Sequence, residues 1–250
     1  MITRKSADQI ALMRKAGKVV AEMHEVCIRA ATPGASTLDV DAVARDVIDK
    51  RGARSNFLNY HGFPAVVCTS PNDVIVHGIP SADVVLEDGD ILSIDCGAII
   101  EGWHADAAVT VPVGEIDEES KRLIEVTRAS LEAAIEHVVE GHRLGDIGAA
   151  VEGIAEGAGF TVVREYVGHG IGTAMHEEPQ VPNYGPAGRG LKLKEGHVLA
   201  IEPMVNAGSN QTEVLDDGWT VVTKDHRRSA HFEHTIAVTD HGPEVLTLPW

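Results

Sequence analysis

Hydrophobic and polar positions follow two periods along this chain, and each change of period marks an element. Between residues 7 and 29, Ile10, Met13, Val20, Met23 and Cys27 recur among charged residues, which predicts an amphipathic helix with one buried stripe. Thr32-Pro-Gly34 ends it. Ser36 and Asp39 have the spacing of a capping box, and Gly52 stands where a C-cap is needed, so a second helix is expected between them. Residues 56–80 read as loop and strand, with a short apolar strand at Val66-Val-Cys-Thr and prolines at 64, 71 and 80. The run from Ile91 to Thr110 predicts a β-hairpin, with Gly97 and Gly102 available for the turn. A long helix over 117–139 and a shorter one over 145–157 follow. Strands around Glu202 and Glu233 close the pattern, the second continuous through Ala230-His-Phe-Glu-His-Thr-Ile-Ala.

The hairpin carries Asp95 and Asp106 on its two arms. Their midpoint falls between Ile100 and Glu101, so a tight turn there sets the two carboxylates opposite one another. Cross-strand Cβ atoms are only about 4.5–5.5 Å apart, and like charges at that separation repel. If the hairpin is buried, the pair needs a cation or a shared proton; on a solvated face it needs neither.

A second copy of the pattern favours the cation. Leu86-Glu-Asp-Gly-Asp-Ile-Leu-Ser-Ile-Asp95 aligns without gaps on Leu193-Lys-Glu-Gly-His-Val-Leu-Ala-Ile-Glu202, placing Asp95 on Glu202. The same offset carries Val40, Val43, Val47, Ile48 and Gly52 onto Ile147, Ala150, Ile154, Ala155 and Gly159. A repeat present twice indicates duplication, since solenoids need three or more copies. The expected architecture is α+β: two pseudo-symmetric halves, 1–113 and 117–250, forming a single catalytic domain with strand-borne carboxylates in a shared cleft.

Composition narrows the partners. A formal charge of −17 argues against nucleic acid or anionic membrane as partner, although it also serves as plain solubility charge. Cys27, Cys68 and Cys96 are odd in number and unpatterned, which suits a reducing cytoplasm. No apolar run approaches the roughly 18 residues of a membrane span, and residues 1–30 lack the apolar core of a signal peptide.

Three glycines in Gly168-His-Gly-Ile-Gly172 disfavour helix and let backbone or ligand approach His169 closely. Taken singly, His169 reads as a structural histidine, and Glu202 or Glu233 as an exposed strand residue. Taken together, Asp95, Asp106, His169, Glu202 and Glu233 carry too much negative charge for one metal and suit two divalent ions of Co, Mn, Fe or Zn type. His24, His137, His142 and His241 read as surface histidines.

These motifs resemble one family along nearly the whole chain. Asn59-Tyr-His-Gly-Phe63, Asn72 to Pro80 with His77, Asp95 to Asp106, Val167-Gly-His-Gly-Ile-Gly172, His176-Glu-Glu-Pro179, Ile201-Glu-Pro-Met204 and Phe232-Glu-His234 are similar to those of the type I methionine aminopeptidases, metallopeptidases of the pita-bread fold. The resemblance implies an antiparallel sheet covered by helices. It implies that the five residues above hold a dinuclear centre, bridged by Asp106 and Glu233, with Glu202 moving the proton. It makes His77 and His176 substrate-facing, and it lines the methionine pocket with Tyr60, Phe63, Cys68, His77 and Trp219. Phe57 and Met175 depart from many bacterial relatives, which have cysteine and phenylalanine there. Asn72, Val74 and Ser229 match the family's monovalent-cation site. The implied substrates are the N-termini of nascent polypeptides; docking to the ribosome is left open, and a monomer is the default. Prolidase-like relatives would carry a further N-terminal domain, and non-catalytic relatives would lack the ligands.

Overall fold

The computed structural model describes residues 2–248, and all of its strand pairs are antiparallel. Helix α1 spans Ala7–Ala30, α2 Thr37–Arg51, α3 Glu118–Ile135 and α4 Leu144–Gly157. Ser36 and Asp39 close the expected capping box, and Gly52 ends α2 in the left-handed conformation at φ 62°. The spacing of the sequence repeat reappears in the fold: α2 and α4 begin at Thr37 and Leu144, and two central strands at Ile91 and Val198. Among the described residues, no helix is long and apolar enough to cross a membrane.

The hairpin arms are Ile91–Ile100 and Trp103–Pro112, and α1 lies across both. Met23, Cys27 and Val20 of α1 bury against Ile94, Cys96, Ala105 and Ala107. This face also takes in His24, whose Nε2 is buried without a partner and whose pKa burial pushes down to about 4, so His24 is not a surface histidine. His137 and His142 are half-buried with their Nδ1 atoms 3.3 Å apart, whereas His241 is exposed as expected.

The hairpin register corrects one expectation. Glu101 (φ 51°) and Gly102 (φ 84°) form the turn, both left-handed, as a two-residue turn matched to strand twist requires. That turn lies one residue beyond the midpoint of the two aspartates. Asp95 therefore pairs with Ala108 and Asp106 with Gly97, so the carboxylates are diagonal on one face rather than opposite.

The second half adds a strand pair that changes sheets midway. Val198–Ile201 pairs with His234–Thr239 in a five-stranded sheet, and Met204–Asn206 pairs with Ser229–His231 in a three-stranded one. Between them the ladder breaks at Glu202-Pro203 and Phe232-Glu233, so the strand expected to run through Glu233 is interrupted. Pro203 has no N–H to give the ladder, although its carbonyl still accepts from Phe232 N at 3.2 Å. The register on both sides (His234 with Ile201, His231 with Met204) sets Glu202 and Glu233 across from each other.

The break is where the halves join. Glu233 N donates to Ala108 O at 2.9 Å and Ala108 N to Glu233 O at 3.3 Å, adding the second half to the hairpin's free edge. Thr235 Oγ1 accepts from Asp106 N and donates to Asp106 O.

On the far edge of the hairpin sheet, Asp41 of α2 anchors the strand Val67–Pro71: its Oδ1 accepts from Val66 N at 2.7 Å and Val67 N at 3.2 Å. Asp41→Ala leaves two buried donors unpaired, at about 1–3 kcal/mol each, so a loss of about 2–6 kcal/mol is expected in urea unfolding. A loss below about 1 kcal/mol would show that the anchor is not needed.

Candidate active site

All five residues singled out for metal chemistry line one cavity of about 120 Å³. Asp95 and Asp106 come from the hairpin, His169 from the strand Gly168–Gly170, and Glu202 and Glu233 from the paired breaks. Asp106, His169 and Glu233 each present a ligand atom, all within 4.8 Å of one another. Glu202 Oε1 lies 3.5 Å from His169 Nε2. His169 Nδ1 is 2.9 Å from the Gly170 carbonyl, which fixes the proton on Nδ1 and leaves the Nε2 lone pair for the cavity.

The electrostatics are one-sided. Burial, with the Glu202 charge adding to it, pushes Asp95 up to about 7. Burial alone pushes Glu202 up to about 8. Asp106 and Glu233 are raised well above the usual carboxylate range, by burial first and by the neighbouring carboxylates second. Asp95 Oδ1, Asp106 Oδ1 and Glu233 Oε1 are buried with no hydrogen-bond partner. Oxygen-rich donors, a neutral imidazole and orphaned buried oxygens are what divalent cations would satisfy. The donor set fits such ions.

The rest of the cavity is apolar or aromatic. Phe63 and Trp219 meet edge-on at 5.1 Å, with Cys68, Phe57 and Met175 in the same cluster. His77 holds a left-handed backbone (φ 61°) and stands edge-on to Trp219 at 6.3 Å; burial pushes its pKa down to about 4, so it is neutral. The Tyr60 hydroxyl is 2.8 Å from His176 Nδ1, and the His176 ring lies 4.3 Å from that of His169.

Elsewhere, Asn72 lies in the turn that leads into the strand Val74–Val76, and its carbonyl accepts from Ser229 N at 2.9 Å, which joins two of the three residues of the expected monovalent-cation site.

One residue at the centre was not anticipated. His231 is buried with an unpartnered Nε2, 3.6 Å from Glu202 Oε2. Two-residue alternation before Glu233 was the signal for it, since His231 and Glu233 share a face at that period.

The match to the model of metallopeptidase family M24 runs from residue 11 to residue 240. The chain belongs to that family. This M24 peptidase is 50% identical over 248 residues to a methionine aminopeptidase of Clostridium acetobutylicum, with 99% of each chain covered. Its fold is similar to that of a methionine aminopeptidase of Thermotoga maritima, with a TM-score of 0.98, 45% identity, and coverage of 99% of this chain and 100% of that one. A methionine aminopeptidase of Rickettsia prowazekii follows at a TM-score of 0.97 and 43% identity, again over 99% of this chain and 100% of that one. The pita-bread architecture expected of the sequence is thereby established, and so is the class of a metal-dependent peptidase.

The raised carboxyls make the metal-free M24 peptidase sensitive to pH in a definite direction. Groups whose folded values lie above the unfolded value of about 4 bind extra protons when folded. Their contribution is fully present below about 4 and is lost as pH rises through about 7 for Asp95 and about 8 for Glu202. The melting temperature of the metal-free protein should therefore fall from about pH 5.5 to about pH 8.5, and saturating divalent metal should abolish the fall. A metal-free melting temperature that stays level or rises over that range contradicts this electrostatic picture.

Proposed function

We propose that the chain removes the N-terminal methionine from polypeptides, nascent chains included, when the second residue is small. The observation that carries this reading is a single cavity in which a floor of buried carboxylates meets a wall of sulfur and aromatic groups, on a chain collinear with methionine aminopeptidases. Asp95, Asp106, His169, Glu202 and Glu233 would hold two divalent ions of the Co, Mn, Fe or Zn kind. When bound, such ions supply Lewis-acid activation of a water and of the scissile carbonyl.

The chain's own groups carry the remaining work. Glu202, flanked by His169 and His231, takes the proton of the attacking water and returns it to the leaving amine. Tyr60 donating to His176 Nδ1 leaves the proton of that imidazole on Nε2, and His176 then donates to the developing oxyanion. Neutral His77 holds the backbone beyond the scissile bond. Phe63, Cys68, Tyr60 and Trp219 take the thioether, whose polarizable sulfur suits aromatic edges. Phe57 and Met175 complete that wall, so the substitutions at these positions keep it apolar. A monovalent cation beside Asn72, Val74 and Ser229 rests on the resemblance, and its test is whether potassium or sodium raises the melting temperature.

Three expected outcomes follow from these roles. With divalent metal, Met-Ala-Ser should turn over and Met-Leu-Ser barely do so, because overpacking the second position costs about 1–3 kcal/mol or more and each 1.4 kcal/mol is about tenfold in rate. Equal turnover of the two peptides would contradict the size limit. Glu202→Gln should lower kcat by about 10²–10⁴ while the fold is retained, as measured by turnover and circular dichroism. His176→Ala should lower kcat more than it raises KM; a change confined to KM would remove His176 from the oxyanion role.

A further inference from the structure

Glu177 follows His176 directly and opens the strand Glu177–Val181. Its carboxylate folds back beneath the turn that delivers Met175 and His176. Oε1 accepts from Thr173 N at 2.8 Å and Ala174 N at 3.3 Å. Oε2 accepts from Lys5 Nζ at 2.6 Å and from the Thr3 hydroxyl at 3.0 Å. Lys5 Nζ also donates to Thr3 Oγ1 at 2.8 Å, so the ammonium has two partners in this cluster.

This ion pair is unlike those on the surface. The Lys5 and Glu177 side chains are 4% and 16% exposed, against 57% and 59% for Lys15 and Glu101. Exposed pairs contribute little, whereas removing one partner of a buried pair strands a charge and is strongly destabilising locally. Burial raises the Glu177 pKa, but the hydrogen bond and charge of Lys5 outweigh it and hold the carboxyl below its usual range. The segment bearing Lys5, just ahead of α1, is itself fastened, with Lys5 N donating to Gly196 O at 2.6 Å and Arg4 Nε to Glu195 O at 2.6 Å.

The turn is built around the pair. A Cβ at Gly172 would lie 2.5 Å from Glu177 Oε1 and 2.6 Å from Lys5 Cε, so any larger residue there would push the ends of both side chains out of this arrangement. On its other side Gly172 O accepts from His104 N at 2.9 Å, next to the hairpin turn. Neither Lys5 nor Glu177 lines the cavity, so neither touches a substrate there. Their effect reaches the cavity through the backbone of the turn. We infer that Lys5, through its buried ion pair with Glu177, is a positioning residue for His176, fixing the turn from Gly172 to His176 so that the imidazole stands against Tyr60 and over the cavity. The inference rests on the reading of His176 as a substrate-facing group.

Lys5→Met keeps the length of the side chain and removes its charge. In the metal-loaded full chain with Met-Ala-Ser, kcat should fall about 10- to 100-fold, the scale of an ångström-size misplacement, with KM within about threefold of wild type and metal content unchanged. In the metal-free protein, amide exchange over residues 172–177 should speed up by about tenfold or more while α1 and the hairpin keep their protection. Lys5→Arg, which restores the cation, should recover most of both. An unchanged kcat, an effect confined to KM, or exchange that rises equally throughout the chain would overturn the inference. Should Lys5→Met fail to fold, Thr3→Val removes one hydrogen bond to Glu177 and should still lower kcat by about two- to fivefold with the same local exchange signature, and an unchanged Thr3→Val would overturn it. Wild-type protein in the same assay separates the two readings: if it does not cleave Met-Ala-Ser, the proposed function fails, and the exchange arm alone decides whether Lys5 holds the turn.

Discussion

Four carboxylates share one small buried cavity, and no lysine or arginine lines it among the described residues. Carboxylates cannot stay ionised there without compensation, and because burial lowers the pKa values of the lining histidines His77, His169 and His176, only added protons or bound cations can supply it. The raised values of Asp95, Glu202, Asp106 and Glu233 are the proton answer to that problem. Divalent cations are the other answer, and the one that gives the cavity chemistry. Orphaned oxygens on three of the four carboxylates match that second answer, because a proton leaves most of their lone pairs unused.

The fold meets the constraint with two devices. The hairpin places Asp95 and Asp106 diagonally on one face, so that their oxygens can converge without the close repulsion of directly opposed residues. The second half contributes a ladder that breaks at Pro203 and Phe232, where the backbone leaves one sheet for another and turns Glu202 and Glu233 inward. The two devices are stitched together by the backbone exchange between Ala108 and Glu233 and by the hydroxyl of Thr235 on Asp106. His169, with its tautomer set by the Gly170 carbonyl, enters from the neighbouring strand. The wall residues Phe57, Phe63, Cys68 and Met175 form a separate apolar cluster, so pocket shape and ligand positions rest on different packing.

Much of this was legible in the chain. Helix boundaries followed from Ser36, Asp39 and Gly52 because caps are local chemistry, and the repeat pointed to paired carboxylates because Asp95 and Glu202 occupy equal places in it. Hairpin register was misplaced by one residue, because Glu101 tolerates a left-handed conformation that its side chain does not advertise. The break at Phe232-Glu233 was hidden for a different reason: Pro203, which interrupts the ladder, belongs to the partner strand about thirty residues earlier. His24 looked like a surface residue because its helix turns charged positions to water on either side, yet packing on the hairpin buries its Nε2. Long-range contacts, not local propensity, decided the last two.

If the carboxylate cavity is a cation-binding centre, its donors must hold metal directly. Anomalous diffraction from crystals grown with cobalt or manganese tests it most directly. Anomalous peaks are expected inside the cavity, at about 2.0–2.3 Å from oxygens of Asp106 and Glu233, with His169 Nε2 among the ligands. A cavity free of anomalous signal at saturating metal, with the carboxylates protonated and the ions bound elsewhere, would contradict it.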